Sequence, residues 1–164
     1  MTLWAKILNY RETVGGANCL FEFSSNFNTT DGGFVVSFAD DSSGIYLSSF
    51  PIVVGVRGNS NSYNLSAFSK TLVNDLGWHH WACIFDKSLS GVECSLYIDG
   101  VLRTPTITPI TADSTNNFDN TTLNLSGRFY GNHAISNLQL YNRVLSSTEI
   151  KQNYNATKNR HGLS

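Results

Sequence analysis

Charge is scarce in this chain. Asp, Glu, Lys and Arg together make up only 14% of its 164 residues, the formal net charge is −1, and basic residues never gather in a block. A sequence-independent grip on phosphate backbones or an anionic membrane surface needs such a block, so charge argues against nucleic-acid and membrane-surface partners. Long apolar runs are missing too. No window approaches the roughly 18 apolar residues of a membrane span, and residues 1–10 lack the basic stretch followed by an apolar one that marks an export signal. Cysteine is rare and odd in number: Cys19, Cys83 and Cys94 make no disulfide framework, and none has a CxxC or Cys/His partner at metal-ligand spacing. Each sits in an apolar run, which suits a small buried thiol; a Cys83–Cys94 bridge between neighbouring strands is the alternative.

What is abundant is turn chemistry interleaved with apolar pleats. Asn, Ser and Thr supply about a third of the chain, glycine 13 residues and aromatics 12%, the mixture of an all-β protein. With no break in composition along it, the whole of 1–164 reads as one domain, long enough to fold around its own core without metal or disulfide. Alternating runs predict about eleven strands, at 2–8, 19–23, 34–38, 45–50, 52–56, 65–68, 78–85, 92–98, 101–104, 121–126 and 135–141. The run 78–85 is apolar on both faces, with Trp78, His80, Ala82 and Ile84 on one side and His79, Trp81, Cys83 and Phe85 on the other. This predicts a central strand covered by a second sheet and by packed loops. Asp99-Gly100 reads as a two-residue hairpin turn. Near the end, Ser146-Ser147-Thr148-Glu149 forms a capping box that opens a helix over about 146–159, with Leu145 as staple and Ile150 and Tyr154 on its apolar stripe. Lys151, Lys158 and Arg160 lie toward its C-terminus, Gly162 follows its end, and the helix is expected on the sandwich edge.

Three stretches carry a resemblance: Leu3-Trp4-Ala5-Lys6; Trp78-His79-His80-Trp81-Ala82 through Tyr97-Ile98-Asp99-Gly100; and Leu140-Tyr141-Asn142-Arg143-Val144-Leu145-Ser146 with the helix after it. The chain resembles the concanavalin A-like lectin/glucanase superfamily, and in particular the laminin G-like jelly-roll domains of bacterial surface proteins and bacteriophage virion proteins. The resemblance implies a two-sheet antiparallel β-sandwich with one short C-terminal helix and a setting on a virion surface. Domains of this family usually carry a further strand ahead of the one matching 3–7. Its absence here leaves three possibilities for that edge: open, closed by the C-terminal part, or completed by a partner chain in a homo-oligomer or on a larger virion protein.

Chemistry is sparsely represented. Glycosidases need two carboxylates about 5–9.5 Å apart, set on one strand in the glucanase branch, whereas Glu12, Glu22, Glu93 and Glu149 are isolated from one another. No nucleophile elbow is present, so the expectation is a non-enzymatic protein. His79 and His80 point to opposite faces and cannot chelate one ion; His80 is expected as a hydrogen-bonded core or interface histidine. Calcium sits in rim loops of many domains of this fold, and Asp113, Asn116 and Asp119 offer the hard oxygen ligands it takes, although a solvated Asn/Asp turn explains them equally. Sugars are held by an aromatic face beside fixed amides, which singles out Tyr130, Asn132 and His133 in one loop and Tyr63 in another. Two readings remain: a glycan-recognition module of a virion or cell surface, and a decoration protein that contacts its virion neighbours and binds no sugar.

Overall fold

Side-chain alternation sorts the chain into layers. The computed structural model describes residues 1–8, 18–25, 27, 31–38, 52–58, 63–73, 75–89, 91–106, 118–125 and 133–164. These residues form ten strands: β1 (Thr2–Ile7), β2 (Asn18–Phe23), β3 (Phe34–Phe38), β4 (Ile52–Arg57), β5 (Tyr63–Phe68), β6 (Trp78–Phe85), β7 (Cys94–Ile98), β8 (Val101–Arg103), β9 (Leu123–Leu125) and β10 (His133–Gln139). One α-helix, α1 (Ser147–Thr157), follows, and short 3₁₀ turns occupy Lys70–Leu72 and Lys158–His161. The strand expected at 45–50 lies outside the described residues.

The strands make two five-stranded antiparallel sheets, ordered β10-β1-β6-β7-β8 and β5-β4-β3-β2-β9. Leu3, Ala5 and Ile7 of β1 and Trp81 and Cys83 of β6 face inward, where they join Phe21, Val36, Val54 and Phe68 of the second sheet in one buried cluster. This is the expected sandwich, with period-two strands each giving one face to a shared core. All three cysteines are buried free thiols, and burial pushes the Cys83 thiol up to about 12, so it behaves as an inert apolar filler.

The sequence reading of β6 is right in its faces and incomplete in its outer cover. Its second face is roofed by α1 together with the loop before it: Ala82 packs with Leu145 and Ile150, and Ile84, Tyr97 and Tyr141 pack against them. The helix therefore lies over the outer face of the first sheet and not on an edge. Trp4, on the outward face of β1, decides this placement. Its indole N–H donates to the Thr157 hydroxyl at 2.8 Å, and its ring stacks on Tyr154 and on His161 at 5.8 and 4.1 Å. The capping box is present, with Ser146 accepting from the Glu149 amide and Glu149 returning to Ser146, and Leu145 and Ile150 meet as a staple. Lys158 and Arg160 fall in the 3₁₀ turn after α1, whose own last turn has no basic residue.

The edge left undecided by the sequence is closed from within. β1 pairs with β10 on one side and with β6 on the other, so β1 offers no free edge for a partner strand and β10 ends the sheet instead. Asp99 and Gly100 both adopt positive φ, 56° and 76°, as a two-residue hairpin turn requires. A Cβ on Gly100 would also lie 3.4 Å from the Lys151 backbone, because α1 passes directly over the turn. Gly100→Ala should therefore lose about 1–2 kcal/mol, the cost of a left-handed L-residue. Urea unfolding of the variant measures it, and an unchanged midpoint would refute this account of the turn.

Candidate functional site

At the end of β6 the wall of the sandwich opens into a cavity of about 320 Å³, bounded by Phe34, Phe85, Asp86, Lys87, Phe118 and Tyr141. Aromatic stacking builds one side of it. Phe85 closes β6 and lies on Phe34 of the opposite sheet, ring centres 4.4 Å apart and 20° from parallel. Phe23 covers the other face of Phe34 at 4.9 Å, and Phe118 meets Phe34 edge-on at 5.6 Å. Phe118 is 39% exposed and is held at the rim by its neighbour, since the Asp119 amide donates to the Gly32 carbonyl at 3.0 Å.

The turn after β6 supplies the polar side. The Asp86 Oδ1 accepts from the Ser88 amide at 3.0 Å and from its hydroxyl at 2.5 Å, fixing a tight Asx-type turn. Lys87 stands at that turn, its Nζ 5.0 Å from the Phe118 ring centre and donating to the Arg57 carbonyl of β4 at 3.2 Å. Burial lowers its pKa, against the pull of Glu93 and Asp31. Across the opening, Tyr141, Asn142 and Arg143 follow β10. Arg143 is already matched by Glu149 at 2.6 and 3.1 Å, which with the Ser146 bonds holds that carboxyl down at about 2. Among the described residues, Asp86 is the only carboxylate lining the cavity. The arrangement can stack an apolar ligand face and hydrogen-bond its edge, but it lacks the second acid of a glycosidase pair.

The adjacent histidines have separate environments, as strand alternation requires. His79 is clamped between two carboxylates, with Nδ1 2.7 Å from Asp99 and Nε2 2.8 Å from Asp75. Burial would lower its pKa, but the bonds to Asp99 and Asp75 outweigh it and raise it. Asp75 is lowered in return, first by its bond from His79. His80 points the other way, beneath α1, 2% exposed and lowered to about 4 by burial. It is the interface histidine expected, with one difference: its Nδ1 has no hydrogen-bond partner among the described residues.

Of the residues singled out from sequence, Tyr63, Asp119 and His133 fall among the described ones. Tyr130 and Asn132 lie outside the described residues, as do Asp113 and Asn116 of the calcium reading. Tyr63 begins β5, and nothing is described of its side chain. His133 begins β10 opposite Ile7, half-buried, with its pKa lowered by burial. Asp119 is exposed, and its Oδ1 accepts from the Asn120 amide at 2.8 Å. Among the described residues no three His, Cys, Asp or Glu side chains gather as a metal site. The cavity's own residues escaped the sequence reading. The signal for Phe118 was a lone aromatic in a run of Asn, Asp and Thr, whereas Lys87 and Asp86 look like any polar turn.

A model of the concanavalin A-like lectin/glucanase superfamily, in its Laminin_G_3 form, matches residues 1–151. The chain belongs to this superfamily. No curated protein matches it in sequence. Solved structures with the superfamily fold include the binding domain of botulinum neurotoxin DC in complex with SialylT, 18% identical over 94% of this chain, TM-score 0.61. The same domain in complex with rat synaptotagmin II is 16% identical over 94%, TM-score 0.61, and the botulinum neurotoxin type G receptor-binding domain is 13% identical over 95%, TM-score 0.59. Identities this low establish likeness of fold alone. The lectin-like chain spans only 34–37% of those structures.

The His79 clamp has a pH signature. A raised histidine pKa contributes stability that is complete below the unfolded value of 6.5 and is lost as pH rises through the folded one. On the acid side the contribution of Asp75 fades as pH falls through its lowered pKa. His79→Gln should therefore depress Tm more at about pH 5.5–6.5 than at about pH 9. A Tm offset that is constant across this range would show that the clamp carries no linked proton.

Proposed function

We propose that this domain is a non-catalytic glycan-recognition module displayed on a virion or cell surface, with the Phe118 cleft as its sugar site. The observation that carries the reading is an exposed aromatic ring fixed on the rim of a half-open cavity, with an ammonium group and a carboxylate at its edge. A pyranose presents the complementary pair of surfaces, an apolar C–H face and an equatorial fringe of hydroxyls. At about 320 Å³ the cleft is at the small end of ligand sites, which suits a terminal sugar and not a long chain. Family membership supports the reading, and the neurotoxin domains that share the fold are themselves binding domains. Asp86 is the cleft's sole carboxylate among the described residues, which supports binding without bond cleavage.

A glycan array identifies the sugar and calorimetry measures its affinity. Phe118→Ala should weaken that affinity about tenfold or more, in the range of an exposed aromatic anchor, while an exposed position leaves Tm nearly unchanged. Equal affinity in the variant would place the sugar elsewhere.

A second reading, a decoration protein joined to neighbours through protein contacts, is favoured by one feature. β8 ends its sheet, and Val101 and Leu102 there are 52% and 56% exposed, an apolar edge of the kind that proteins ordinarily blunt. On this reading the array stays blank, and light scattering shows concentration-dependent assembly that Leu102→Lys abolishes. A monomer at all concentrations would remove self-assembly through β8.

A further inference from the structure

A second cavity, of about 110 Å³, lies between α1 and the outer face of the first sheet. Trp4 and His80 form its floor, and Asn137, Gln139, Asn153 and Thr157 its polar walls, with Ala156 at the helix side. Among the described residues, no Asp, Glu, Lys or Arg lines it. Three side-chain amides converge here, and the bonds they already make leave particular atoms over. The Gln139 Oε1 accepts from the hydroxyls of Thr2 and Tyr141 at 3.1 and 2.8 Å, so its amide N–H groups remain. The Asn153 Nδ2 donates to the Tyr141 hydroxyl at 3.0 Å, so its Oδ1 remains. Thr157 is spent, accepting from Trp4 and donating to the Asn153 carbonyl, both at 2.8 Å.

One further observation points to an occupant. Asn137 has a φ of 51° within β10, where the register with β1 shifts between Thr2 and Trp4. A bulge of this sort re-aims side chains and is held by surrounding structure at binding sites.

We infer that this cavity receives a neutral acetamido group. At about 110 Å³ it has room for a small group of a few heavy atoms, such as the carbonyl oxygen, nitrogen and two carbons of an acetamido group. The carbonyl oxygen meets the Gln139 and Asn137 amide donors, the N–H meets the Asn153 Oδ1, and the methyl lies against Trp4 and Ala156. An ionic group would find no countercharge, and burial keeps His80 neutral at physiological pH. A plain hydroxyl would leave the apolar wall unused. Tyr141 lines the larger cleft, and its hydroxyl bonds both Gln139 and Asn153, so the two cavities are linked by one side chain. An N-acetylated sugar is the ligand class that this linkage favours. That last step rests on the glycan reading of the larger cleft; the acetamido pocket itself does not.

The test is an NMR titration of the ¹⁵N-labelled protein with N-methylacetamide, N-acetylglucosamine and glucose. Both acetamido probes should shift the side-chain amides of Asn137, Gln139 and Asn153 and the indole of Trp4 saturably, and glucose should not. Ala156→Leu, a substitution helices accept well at an exposed position, should fill the pocket and weaken the acetamido probes about tenfold or more. Asn137→Ala serves as a second variant if the first does not fold. Absence of a saturable shift with N-methylacetamide, equal shifts with glucose, or full binding by a folded Ala156→Leu protein would overturn the inference. Shifts from N-acetylglucosamine confined to residues around Phe118 would overturn it while leaving the larger cleft standing. N-methylacetamide shifts in the small pocket without binding of any sugar would uphold the pocket and remove the glycan reading.

Discussion

The structure depends on a strand that keeps both of its faces dry. On β6, Trp81 and Cys83 are sealed between the two sheets, while His80 and Ala82 are sealed beneath α1. Each fully buried large apolar side chain contributes about 1.5–3 kcal/mol, so a strand lined on both sides anchors three layers at once. The helix is thus a third layer of the core and not an appendage, and its capping box, staple and Trp4 contacts all act to hold it over that strand. The polar features sit at the two ends of that strand: the His79 clamp secures its start, and the cleft forms beyond Phe85 at its end.

Much of this was legible in the residues. Period-two alternation located all ten of the strands now described, within a few residues at either end, and Asp99-Gly100 and Ser146 through Glu149 gave their turn and cap from local chemistry alone. What covers the outer face of β6 was not legible, because an apolar stripe announces that it will be buried without naming its partner. A helix of 11 residues and a packed loop satisfy the same pattern. Only the pairing of Trp4 with Thr157, 153 positions apart, settles the matter, and no local rule reaches so far.

The candidate site was harder to see for a related reason. Tyrosine, asparagine and glycine in a loop look like a sugar site, yet in a chain so rich in turn residues they are equally ordinary. The cleft instead uses phenylalanines from three distant segments, Phe34, Phe85 and Phe118, each of which reads in isolation as core. Stacking across the two sheets brings them together at the rim, and one, Phe118, is left facing outward. The acetamido pocket has the same origin, since its amides come from β10 and α1 and only their packing over Trp4 makes them neighbours.

The pairing of β1 with β10 carries a consequence for biogenesis. Thr2 and Gln139 are hydrogen-bonded across 137 positions, so β1 meets its β10 neighbour only after nearly all of the intervening domain has been made. At translation speeds of about 5–20 residues per second, its apolar side chains wait roughly ten seconds before the sheet can close around them. A topology with so much non-local pairing folds slowly, and in the interval the nascent segment is bait for chaperones and for other copies of itself.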